Sequence, residues 1–168
     1  MDDRVLILAP RGRDAMIAAG LLRRHNIEAE IAPSLAALVD ELPRGVAAVL
    51  ITEEALGEAG RTELLDWVAR QPTWSDLPFV MLSNGARAPR SARAAEQVVD
   101  LGNVVMLERP LHAEAMIGAV RSAIKARQRQ YEIRSAADLD GSSGRRPDIR
   151  TCRSANQPGI RLERGGYG

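Results

Sequence analysis

The sequence predicts an α/β fold: a doubly wound, five-stranded parallel sheet with helices on both faces. Three observations predict it. Short runs of Val, Ile and Leu recur over the first 134 or so residues. Segments with helical spacing separate them. Most of the runs are continuously apolar rather than alternating, which marks strands covered on both faces, as the helical crossovers between parallel strands require.

Val5-Leu6-Ile7-Leu8, closed by Ala9-Pro10, is the first buried strand. Asp14 to His25 follows as a helix with Ile17, Leu21 and Leu22 on its inner side and Arg23 and Arg24 in the last turn, where cations suit the helix dipole. Glu28 to Ala32 alternates polar and apolar residues, which predicts a weaker strand near a sheet edge. Ser34 caps a helix carrying Leu35, Leu38, Val39 and Leu42, and Pro43 stops it. Val46 to Ile51 is the next buried strand, and Thr62 to Ala69 places Leu64, Leu65 and Val68 on one helical face. Phe79 to Leu82 and Val104 to Leu107 read as two further buried strands, with an Ala-rich helix over 91–101 between them. A long last helix from about His112 to Arg134 carries Met116, Ile117, Val120, Ile124 and Tyr131 on one stripe.

The 168 residues divide into a body of 1–134 and a tail of 135–168 in which Gly, Ser and Pro replace apolar periodicity, so that disorder is expected there. Residues 138–168 hold six arginines against four acids (+2), which leaves −1 for the rest of a chain whose net charge is +1. A near-neutral body argues against a dedicated nucleic-acid binder, and the 3% aromatic content argues against base stacking. The one cysteine, Cys152, makes neither an internal disulfide nor a Cys-rich zinc site. With no membrane-length apolar run and no visible secretory signal, a soluble cytoplasmic protein is expected.

Ligands of open α/β sheets bind outside the carboxyl ends of the strands. There the chain offers Ala9-Pro10-Arg11-Gly12-Arg13, Thr52-Glu53-Glu54, Ser83-Asn84 and Glu108-Arg109-Pro110. The first loop is neither a dinucleotide nor a P-loop fingerprint. No Ser/His/Asp set forms where the loops lack a histidine; His25 and His112 mark helix ends. No catalytic residue, metal or cofactor is predicted. Trp67 and Trp74 read as packing residues, and Thr52 and Ser83 as neighbouring loop anchors.

Five βα units in this length, Leu77-Pro78-Phe79-Val80-Met81-Leu82-Ser83 and Glu108-Arg109-Pro110-Leu111 together resemble the receiver domains of two-component response regulators, over residues 3–130. The resemblance implies a flavodoxin-like sheet of order 2-1-3-4-5, a switch hydroxyl at Ser83, and Arg109-Pro110 in place of a Lys-Pro turn with a candidate cis bond. It also exposes departures. Receivers carry an acidic pair after strand 1 and an acceptor Asp after strand 3, which hold Mg²⁺ and attack phosphorus. Here those positions fall on Ala9-Pro10 or Pro10-Arg11 and on Thr52, or Glu53 with a slip of one. Arginine does not reproduce lysine's compact ammonium, and the switch aromatic is Met106.

The expectation is a degenerate receiver, similar to those at the front of sensor histidine kinases, that is not phosphorylated and works by protein contact with itself, a histidine kinase or a response regulator. Its contact face would be the Ala-rich helix, the fifth strand and the last helix. Either Glu53 or Glu54 would pair with Arg11 or Arg109 in the vacated pocket, or these charges would simply point to water. Ile117, Val120, Ile124 and Tyr131 would form a dimer seam that Arg127 weakens, unless the first half of the helix packs on the sheet and the second is a solvated extension. The competing expectation is a small ligand-binding or enzymatic domain with an anion pocket of Arg11, Arg13 and Arg109.

Overall fold

The computed structural model describes residues 4–57, 59–83, 99–109 and 112–142. The strands are β1 (Val5–Leu8), β2 (Ala29–Ile31), β3 (Ala48–Thr52), β4 (Phe79–Ser83) and β5 (Val104–Glu108). The helices are α1 (Asp14–Arg24), α2 (Leu35–Glu41), α3 (Arg61–Ala69) and α4 (Ala113–Ser142), with 3-10 turns at Leu42–Arg44 and Glu53–Gly57. All pairings are parallel, in the order β2-β1-β3-β4-β5. This is the flavodoxin-like arrangement that the sequence predicts.

Alternation along the strands sorts the core into two layers. Leu6, Leu8, Val49, Ile51, Phe79 and Met81 face α2 and α3, against Leu35, Leu38 and Leu64. Val5, Ile7, Ala48, Leu50, Val80 and Leu82 face α1 and α4, against Ala18, Leu22, Met116 and Val120. β1, β3 and β4 are buried throughout. β5 is not the buried strand its composition suggests: among the described residues it has a neighbour on one side only, and Val105 is 43% exposed. β3 is also displaced, because Val46 and Ala47 are buried but precede the ladder while Thr52 completes it.

The inner face of α1 differs from the expected one. Ala15, Ala18, Ala19 and Leu22 lie against the sheet, whereas Ile17 is 64% exposed. Small residues let the helix backbone approach the strands, and the bulkier Ile17 and Leu21 move to its flank. α2 starts as predicted, with Ser34 Oγ accepting the Ala37 N–H at 3.2 Å. The α-helix ends at Glu41, ahead of Pro43 as expected, but Leu42 falls outside it and Pro43 sits in the first turn of the following 3-10 segment, where a missing N–H costs nothing.

α4 runs on past Arg134 to Ser142, where the Arg134–Asp138 ion pair (2.8 Å) spans one turn of an Ala-containing continuation. Thirty residues of helix extend about 45 Å, against about 17 Å for a five-residue strand, so α4 overhangs the sheet. Among the described residues no helix is long and apolar enough to cross a membrane. The Ala-rich helix, apart from residues 99–101, and the tail beyond 142 lie outside the described residues.

Gly60 precedes α3 at φ +104°, and a Cβ there would lie 3.1 Å from the Ala36 backbone nitrogen of α2. Gly60→Ala is expected to lower unfolding free energy by at least about 1–2 kcal/mol, the cost of a left-handed L-residue. Gly20→Ala, at an open mid-helix position of α1, should raise it by about 0.5–1 kcal/mol. Urea unfolding of the two variants measures both changes.

Candidate functional site

The carboxyl edge of the sheet brings together the ends of β1, β3, β4 and β5, and strand parity decides which side chains meet there. Ser83 follows Phe79 and Met81 onto the α2/α3 side of the sheet, and there its hydroxyl donates to Glu53 Oε2 at 3.1 Å. Thr52 follows Ala48 and Leu50 onto the opposite side, opposite Leu82 in the register. It is 2% exposed, and its Oγ1 has no hydrogen-bond partner among the described residues. Thr52 and Ser83 are thus close along the edge but on opposite faces.

The charged groups do not pair as the sequence suggests. Glu53 takes its bond from Ser83, and Arg109 Nη2 donates to Asp14 Oδ2 at 2.6 Å, closing α1 onto the end of β5. The reason is geometric: Arg109 leaves β5 on the α1 side, while Glu53 starts the 3-10 turn on the other. Arg11 and Arg13 are exposed, form no ion pair among the described residues, and do not line the cleft beside Arg109. Ala9 is half-buried against the α1-side core, and Pro10 is exposed. Met106 packs against the Phe79 and Met81 layer. Pro110, and with it the peptide bond expected to be cis, lies outside the described residues.

Beside the Asp14–Arg109 pair a cleft of about 290 Å³ opens between α1 and α4, lined with Ile17, Leu21, Leu82 and Met116. Its polar rim is the ion pair itself. Among the described residues no three His, Cys, Asp or Glu side chains converge as a metal site would need. The Mg²⁺ of receivers does not fit the described set: Ala9, Pro10, Arg11 and Thr52 offer no carboxylate, Asp14 is held by a guanidinium, and Glu53 lies on the other side of the sheet, bonded to Ser83.

Of the four residues of the predicted dimer seam, two are buried within the chain and two are half-buried. Ile117 and Val120 are buried, Ile124 packs against the same layer, and Tyr131 tilts onto Trp74 with ring centroids 5.4 Å apart. Nor is the second half of α4 wholly solvated. Arg127 is 6% exposed; its Nη1 donates to Ser75 Oγ (2.7 Å) and Gln130 Oε1 (2.8 Å), and its Nη2 to Tyr131 OH (3.3 Å). Gln130 brackets Asp76, accepting from its N–H and donating to its carbonyl, both at 2.9 Å. This clasp was not visible in the sequence; the one signal was an arginine standing on the apolar stripe between Ile124 and Tyr131.

Thr52 carries an unpaired buried hydroxyl, so Thr52→Val, which keeps the shape and removes it, should stabilise the protein by about 1 kcal/mol in thermal or urea unfolding.

No protein-family model matches the sequence, and no curated protein does. Solved structures do match. NtrX from Brucella abortus, in complex with ADP, superposes with a TM-score of 0.61 at 17% identity, over 85% of this chain and 30% of that one. A CheY-like response regulator receiver domain from Methanospirillum hungatei gives 0.61 at 13% identity, over 76% and 97%. The beryllofluoride-activated NtrC4 receiver domain dimer gives 0.59 at 13% identity, over 74% and 98%. The chain thus spans under a third of NtrX but nearly the whole of the isolated receiver domains. At these identities the likeness is one of fold, and the fold of this chain is that of the response-regulator receivers.

Proposed function

We propose that this chain is a receiver-type module of two-component signalling that has lost aspartyl phosphorylation and acts in the cytoplasm by protein contact, with a second copy, a histidine kinase or a response regulator. The observation that carries the reading is at the end of β3. The acceptor position of a receiver falls on Thr52, or on Glu53 with a slip of one: Thr52 is uncharged and buried, its hydroxyl has no partner and no metal-binding cluster forms among the described residues, and Glu53 is held by Ser83. A threonine hydroxyl at that depth cannot attack phosphorus without a base to take its proton. The basic residue after β5, which a receiver would turn toward phosphate, is already neutralised by Asp14. That pairing also weighs against an enzyme or ligand-binding domain built on Arg11, Arg13 and Arg109, because the site's anion is supplied internally.

With the α4 seam buried or half-buried, the contact surface is best sought beside β5. Val105 on that strand and Val99 just before it are 43% and 77% exposed. Apolar side chains open along an edge strand favour association.

Incubation with Mg²⁺ and acetyl phosphate is expected to leave the intact mass unchanged, and beryllofluoride to leave the melting temperature unchanged. A phosphoryl adduct on the body of the chain would overturn the reading. In sedimentation velocity the chain is expected to associate with rising concentration and Val105→Glu to remain monomeric. A wild-type chain that stays monomeric throughout would remove the second copy as partner and leave the heterologous ones.

A further inference from the structure

At the opposite edge of the sheet, below the amino ends of β3 and β4, a cleft of about 390 Å³ lies between the α2–β3 connection, the loop after α3, and the overhanging part of α4. Two arginines line it, Arg70 and Arg127, and no carboxylate does. Arg70 stands at the mouth, 78% exposed and 3.6 Å from an equally open Asp66. Arg127 is the more telling. A buried guanidinium normally has a carboxylate beside it, because desolvating the charge costs several kcal/mol. Arg127 has only neutral acceptors, Ser75, Gln130 and Tyr131, together with the Tyr131 ring 4.9 Å from its central carbon. Its Nε–H is buried with no partner among the described residues. Glu41 is engaged with Arg4 and Arg44, and Asp66 reaches only the solvent-exposed Arg70 at the mouth, not Arg127. The remaining walls are apolar or aromatic, among them Trp67, Leu42 and Pro72.

We infer that this cleft is a binding site for a small organic carboxylate, its anionic head on Arg127 and Arg70 and its apolar body against Trp67 and the flanking aliphatic and proline side chains. Such a ligand supplies the missing counter-charge to a guanidinium already fixed in place, so little ordering is required of the protein. A cleft of this volume lies at the small end of those that hold compact organic ligands. The site is independent of the reading given to the carboxyl edge: it shares no residue with Thr52, Asp14 or Arg109. Bound there, a ligand joins α4 to the loop before β4 and so strengthens the attachment of the helix overhang.

The test uses tryptophan fluorescence of the full chain. Trp67 lines the cleft and Trp74 does not, so Trp74→Phe leaves Trp67 as the reporter in a chain with two tryptophans. Cyclohexanecarboxylate is expected to give a saturable change, and its neutral isostere cyclohexanecarboxamide to bind at least tenfold more weakly. Arg127→Met should abolish the carboxylate response. Should that variant fail to fold, Arg70→Gln, at an exposed position, should weaken binding several-fold. No saturable response, equal affinity for the amide, equal affinity for inorganic phosphate, or unchanged binding in Arg70→Gln and Arg127→Met would each overturn the proposal.

Discussion

Burial of β1, β3 and β4 on both faces is the constraint from which the rest of the structure follows. A strand covered above and below cannot accept a charged or strongly polar side chain along its length, and a parallel neighbour cannot be reached without a crossover helix. Val5 to Leu8, Ala48 to Ile51 and Phe79 to Leu82 meet that demand with an unbroken apolar run each. Once the runs are fixed in register, alternation alone assigns the residues at their ends. It sends Ser83 to the same side as Glu53, where they bond, and Thr52 to the other, where nothing meets its hydroxyl. A slip of one residue in β3 would exchange Thr52 and Glu53 and place a carboxylate in the α1-side core.

Covering the sheet also shapes the helices. α1 lies close because alanines face the strands, and this displaces Ile17 and Leu21 to the side that faces α4, opening the cleft by Arg109. α4 covers its share with Met116, Ile117, Val120 and Ala123, and is then longer than the sheet beneath it. Beyond that point apolar burial no longer holds it. Polar clasping takes over, through Arg127 to Ser75 and Gln130 to Asp76, while Trp74 fits between Tyr131 and the Arg134 guanidinium, 5.1 Å from its ring.

The architecture was legible because its signal is local. Continuous runs of Val, Ile and Leu name the buried strands without any knowledge of what packs on them, and Ser34 names a helix start by a bond to a residue three positions on. The misread elements are those whose state depends on a distant part of the chain. β5 has the composition of a buried strand, yet among the described residues it lies at the edge, with no strand beyond it in the sheet. Ile17 has the spacing of a core residue, yet the neighbouring alanines have the better fit. The site was legible as a set of positions and not as a set of contacts. Asp14 and Arg109 are 95 residues apart, and Asp14 is accounted for locally as an acidic residue opening a helix. Arg127 reads as a solvated charge until the loop carrying Ser75 is seen to fold beneath it.

The two edges of the sheet thus differ in electrostatic completeness. At the carboxyl edge, where ligands of open α/β sheets bind, Arg109 has its carboxylate and Glu53 its hydroxyl. The buried side chain there without a partner among the described residues is a neutral threonine, and Arg11 and Arg13 stand in solvent. A fold does not by itself carry a function; the charged groups at its site do. At the amino edge the balance is reversed: a fixed, desolvated guanidinium faces an open cleft with no acid among its lining residues. Free energy is available where charge is uncompensated, because a ligand of opposite sign removes a penalty already incurred in folding. The uncompensated charge among the described residues therefore lies beneath β3 and β4 rather than at the Asp14–Arg109 pair, and exposed apolar side chains lie beside β5.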